Sequence, residues 1–225
     1  MIQLTGQFVP VKVNADKEGK EVARRYAVRG FPTILFVNAA NGEVEGKIGG
    51  YMPPAGFSAE LKRIAAAHKA LPALRARHRS NPKDPEAAAR LAAIAASQGK
   101  EAEASALLAQ AETSDPANRS GHLAKAYNAV ADLYQEKRQF DKAIPLFQKA
   151  AKTGKTPQEI AYAHLSIAVC HLSQNDPSAA VPALEATLAV PNVPADMKAQ
   201  AQQMLDQVKQ RGGGDRPGEG NGGGA

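Results

Sequence analysis

The residue types best suited to metal binding or nucleophilic chemistry gather at one place in the chain: His164, Cys170 and His171. A zinc ion takes sulfur and imidazole ligands when three or four of them converge on one point. On a helix, residues 170 and 171 point about 100° apart, and no other pair of candidate ligands has metal-binding spacing. The two histidines therefore read as core or groove residues. Cys170 is the only cysteine among 225 residues, so no intrachain disulfide and no Cys-x-x-Cys pair can form, which excludes dithiol exchange by these residues alone. No base is placed to activate Cys170, and a buried structural thiol is the expected role. The sequence implies no metal and no cofactor. Gly49-Gly50 and the C-terminal glycines lack both the strand-to-helix context and the Lys-Ser or Lys-Thr that complete a phosphate-binding loop.

Charge narrows the partners. The 28 basic residues are interleaved with 22 acidic ones, leaving a net charge of +6. The densest basic stretch, Lys62, Arg63, His68, Lys69, Arg75, Arg77, His78, Arg79 and Lys83, has no aromatic residue between its members to stack on bases. It reads as a solvated helix and linker, so nucleic acid is not an expected partner. No segment approaches the roughly 18–20 apolar residues of a membrane span, and residues 1–13 lack the basic and apolar regions of a signal peptide. The expectation is a soluble chain, not membrane-bound and cytoplasmic by default, or periplasmic if a signal peptide precedes this sequence.

The elements that must position any site fall into two groups. Residues 8–13, FVPVKV, nearly alternate and predict a strand, and residues 16–26 set Val22, Ala23 and Tyr26 at helical spacing. Gly30-Phe31-Pro32 breaks the pattern before the apolar run 33–37, and Asn41-Gly42 separates that run from residues 43–48 as a hairpin turn would. Phe57, Leu61, Ile64 and Ala65 then recur at helical spacing in a helix predicted to end near Leu71-Pro72. The first module reads β-α-β-β-α.

The string Tyr26-Ala27-Val28-Arg29-Gly30-Phe31-Pro32-Thr33, with Ile34-Leu35-Phe36, Asn41-Gly42-Glu43 and Gly49-Gly50 after it, resembles the thioredoxin superfamily. The resemblance implies a cis bond before Pro32 and a peptide-binding loop at Gly30, Phe31, Pro32 and Thr33. Thioredoxin-like domains begin with a central strand and a helix bearing Cys-x-x-Cys, and this sequence starts after both. Without that strand, residues 8–13 and 33–37 would have unpaired edges. The favoured expectation is that the natural chain begins upstream, Met1 being an internal methionine.

Residues 72–84 are basic and read as a linker, which ends with Asp84 at a helix N-cap and Pro85 at the first helical position. Three helical hairpins follow, at about 85–116, 119–154 and 157–191, then a single helix over 194–210 and a glycine-rich tail, 211–225, expected to be disordered. The middle hairpin resembles the tetratricopeptide repeat: Tyr127, Val130, Ala131 and Tyr134 share one face, and Ala143, Phe147 and Ala150 another. The first repeats the spacing with Ala88, Leu91, Ala92 and Ala95, then Ala104, Leu108 and Ala111. The third does so with His164, Ile167, Ala168 and His171, then Ala180, Leu184 and Thr187. Thr156-Pro157-Gln158-Glu159 supplies a capping box for the third hairpin, and Asp176-Pro177 caps its second helix.

The fold class expected is therefore α/β plus all-α. A partial thioredoxin-like module at 1–71 and a linker at 72–84 precede an antiparallel array of tetratricopeptide-like hairpins with a capping helix at 85–210. In such arrays the first helices line a groove. The resemblance places Lys125, Asn128, Asp132 and Gln135, with Tyr162, Leu165, Val169 and Leu172, on that surface or against solvent and the next repeat. The layout is similar to bacterial chaperedoxins, which implies protein or peptide clients, a co-chaperone-like adaptor role and a part in redox homeostasis. The alternative is a thioredoxin-family thiol–disulfide oxidoreductase whose Cys-x-x-Cys lies upstream, and a third reading is a homodimer that fills the missing strand.

Overall fold

The computed structural model of the chain describes residues 6, 8–26, 28 and 30–212. Of the disordered tail expected over 211–225, residues 211–212 are helical instead, and from residue 213 on it lies outside the described residues. The chain divides into two compact units, Met1–Pro116 and Ala117–Ala225.

In the first unit a short helix, Lys20–Arg25 (α1), precedes two antiparallel strands, Thr33–Val37 (β1) and Val44–Gly49 (β2). Ile34 faces Ile48 across the pair, and the register shifts between Phe36 and Val37. The turn closes through Asn38 N–H to Glu43 O and Gly42 N–H to Asn38 O. Gly42 takes φ +71°, the left-handed conformation that glycine reaches without steric cost. Residues 9–14 form no strand, which corrects the expectation for 8–13. Alternation makes a segment compatible with a sheet, but only a paired neighbour stabilises it, and Pro10 removes one of the donors such pairing needs. Phe8 instead packs edge-on against Phe36, ring centroids 5.3 Å apart, while Val9, Val11 and Val13 stay exposed.

The helix Pro54–Ser80 (α2) supplies the cover for the hairpin. Its Leu61 and Ile64 are buried together with Ile48 of β2. Gly46 leaves room for this packing, because a Cβ built there would lie 2.7 Å from Ile64 Cδ1 and 2.9 Å from its Cγ1. Gly46→Ala is expected to destabilise this unit by about 1–3 kcal/mol, since all of the buried Ile64 side chain must move. Gly49→Ala, with nothing within 4 Å of the new methyl, is the control. Equal urea midpoints for the two variants would show that Ile64 is not packed on the hairpin.

The helix α2 does not end near Pro72; it continues to Ser80, so residues 72–80 of the expected linker are helical. An interior proline costs about 3 kcal/mol, and contacts further along offset it. Leu74 is buried, and Arg77 pairs with Asp84 and with Glu86, 3.1 Å away, at the start of the next helix, Pro85–Ser97 (α3). The Asp84 side chain caps α3 by accepting from Ala87 N–H at 3.0 Å. A second helix, Glu101–Ser114 (α4), returns against α3 and buries Ala104, Leu108 and Ala111 beside Ala88, Leu91, Ala92 and Ala95. Lys100, at its start, reaches Glu43 of the β-hairpin at 3.0 Å.

Burial disfavours the Asp84 charge, yet the Ala87 amide and the Arg77 guanidinium outweigh it and hold the carboxyl below its ordinary range. A depressed folded-state pKa means that the stabilisation is complete above the unfolded value, about 3.9, and is lost as pH falls through that value toward the folded one. Asp84→Asn keeps a cap acceptor but no titrating charge. It should flatten the acid limb of stability between about pH 5 and pH 3, read from urea midpoints at stepped pH. An unchanged limb would assign the acid sensitivity to other carboxylates.

The second unit holds Leu123–Glu136 (α5), Phe140–Thr153 (α6), Pro157–Ser173 (α7), Pro177–Ala189 (α8) and Ala195–Gly212 (α9), and from α6 onward each packs on the one before it. Fully buried alanines at 124, 126, 131, 143, 150, 161, 163, 168 and 180 let the helix backbones approach, and Tyr127, Val130, Phe147 and Leu184 fill the space between them. Thr187, also buried, satisfies its hydroxyl on the Ala183 carbonyl at 2.9 Å. The helix α9 covers the last hairpin with Ala201, Leu205 and Val208. Asn118 is a residue that periodicity did not single out. Fully buried at φ +51°, it accepts from Leu123 N–H at 2.8 Å and donates to Thr153 O at 2.9 Å, fastening the start of α5 to the end of α6.

Candidate functional site

Two surfaces hold the residues that the sequence pointed to. The first is the loop before β1. The Phe31–Pro32 bond is cis, the Thr33 hydroxyl donates to Gly30 O at 2.6 Å, and Gly50 N–H donates to Pro32 O at 2.8 Å. These bonds hold Gly30, Phe31 and Pro32 exposed at the end of the hairpin, with the Phe31 side chain in solvent.

The second is the side-by-side pair α5 and α7, the first helices of two successive hairpins. The residues Lys125, Asn128, Asp132 and Gln135 recur every three or four positions along α5, and such spacing keeps them on one helix face. Lys125 is exposed, its ammonium 3.6 Å from the Glu159 carboxylate. Across the helices the Tyr162 hydroxyl donates to Asp132 at 2.8 Å, and the Tyr162 ring meets Phe147 edge-on at 6.5 Å. Tyr162 is 37% exposed and is the one large apolar side chain of the second unit, among the described residues, that reaches solvent to this degree. Gln135, Val169 and Leu172 are half-buried beyond it.

Asn128 and Leu165 depart from the outward placement expected of them, for both are buried. Asn128 Nδ2 donates to the Glu159 carbonyl at 3.4 Å, and its Oδ1 has no hydrogen-bond partner among the described residues. Helical spacing shows which residues share a face but not how closely the neighbouring helix approaches it. Here α7 comes close enough to seal the Asn128 amide. Glu159 is the residue the sequence reading missed at this surface, although its place in the capping box was the available signal. Thr156 accepts from Glu159 N–H at 3.2 Å as that box requires, but the Glu159 carboxylate returns to Lys155 N–H, at 3.0 Å, and faces Lys125 as well.

The cluster with potential for metal or nucleophilic chemistry does not assemble. No group of three His, Cys, Asp or Glu side chains suited to a metal ion occurs among the described residues. Cys170 lies fully buried in α7, and burial, with the nearby charge of Asp132, pushes its thiol up to about 11. Burial also lowers the pKa of His164, which favours the neutral imidazole. No described helix is long and apolar enough to cross a membrane.

Comparison with family models finds two matches, which include the loop before β1 and most of α5 with all of α7. Residues 2–65 match a thioredoxin-like domain, and residues 129–196 match a tetratricopeptide repeat. The chain is thus a fusion of thioredoxin-like and tetratricopeptide-type modules. A comparison with curated proteins finds no match.

Proposed function

We propose that the chain is a protein-binding adaptor of co-chaperone character, taking unfolded or peptide clients on the α5/α7 surface and using its thioredoxin-like module without redox chemistry. The observation that carries this reading is Tyr162, an exposed aromatic ring held in place by Asp132. A fixed tyrosine contributes large contact area with little conformational entropy to lose, which is why such residues are enriched at binding hot spots. Lys125 on one side and the half-buried Val169 and Leu172 on the other give the surface both polar and apolar contacts for an extended or helical segment. The hairpin α3–α4 belongs, by its alanine and leucine spacing, to the same repeat type.

The test is binding of a permanently unfolded, carboxymethylated client, followed by fluorescence anisotropy. Tyr162→Ala should weaken binding about 30-fold, the equivalent of a hot spot of ~2 kcal/mol. Near-ultraviolet circular dichroism of the variant shows whether the unit keeps its packing. Binding by the parent chain no tighter than to an unrelated helical protein would overturn the proposal.

Thiol–disulfide exchange is the second reading, supported by the thioredoxin-like match and by the exposed loop around Pro32. Its chemistry requires two sulfurs. The sequence offers Cys170 alone, buried and protonated, so this chain by itself is expected to leave insulin disulfides intact. Light scattering separates a monomeric adaptor from the homodimer that is also compatible with this reading.

A further inference from the structure

We draw no further inference here: the strongest candidate, the exposed apolar side chains of the first unit, Val9, Val11 and Val13 before α1 and Ile34 and Val37 on β1, carries nothing, because nothing in the structure shows what covers them.

Discussion

Replacing Phe147 with alanine should destabilise the second unit by about 3–5 kcal/mol, the usual cost of emptying a fully buried aromatic site. Phe147 has no exposed surface, sits midway along α6, and lies among the alanines that bring α5, α6 and α7 together. Those alanines are already at closest approach, so the helices cannot collapse onto the space and the cavity persists. Its ring also supports Tyr162 edge-on, so truncation should loosen the proposed binding surface as well as the core. Against typical net stabilities of about 5–15 kcal/mol, a loss of this size leaves a measurable unfolded population. Equilibrium urea unfolding of Phe147→Ala and Phe147→Leu should show a large and a much smaller fall in midpoint, with unchanged slope. Equal falls would indicate that the site demands ring shape and not volume.

The thiol of Cys170 should react with iodoacetamide at least about 100-fold more slowly in the native chain than in urea. Raising the thiol to about 11 lowers the thiolate population by roughly that factor near neutral pH, and full burial on α7 adds a steric barrier. Native labelling therefore proceeds through opening, and its rate reports the free energy of that opening. In the Phe147→Ala variant the labelling rate should rise about tenfold for each 1.4 kcal/mol of stability lost if Cys170 is exposed only by unfolding of the whole unit. A rate insensitive to Phe147→Ala would locate a smaller opening of α7 alone, and labelling as fast as in urea would contradict the buried placement. The same measurement bears on function, because a thiol so protected cannot serve as an exchange nucleophile without the unit opening.

The features legible in the sequence were those decided by neighbours along the chain. Asp84, Thr156 and Asp176 cap their helices through bonds to the amide three residues on, a geometry that local sequence specifies. The small and large residues of α3–α8 fall on buried faces because a helical period of 3.6 residues assigns them there, whichever helix packs against them. The turns between paired helices were less legible. Gly99, Arg138 and Asn175 all take positive φ at equivalent places; glycine announces that conformation by its identity, asparagine does so more weakly and arginine not at all.

What the sequence by itself determined is therefore the kind of each module: a β-hairpin with its covering helix, then alanine-rich helical hairpins, with one cysteine unable to form a redox pair. Tertiary structure decided the rest. Residues 8–13 alternate like a strand but have none of the pairing that would make one, and α2 runs through Pro72 because Leu74 is buried and Arg77 meets Asp84 and Glu86. Asn128 and Leu165 carry the periodicity of a groove yet lie buried, while Tyr162 stays exposed on the bond it shares with Asp132. Periodicity is a property of one helix, whereas exposure depends on the distance to the next, and that distance is set by side chains far away in the sequence.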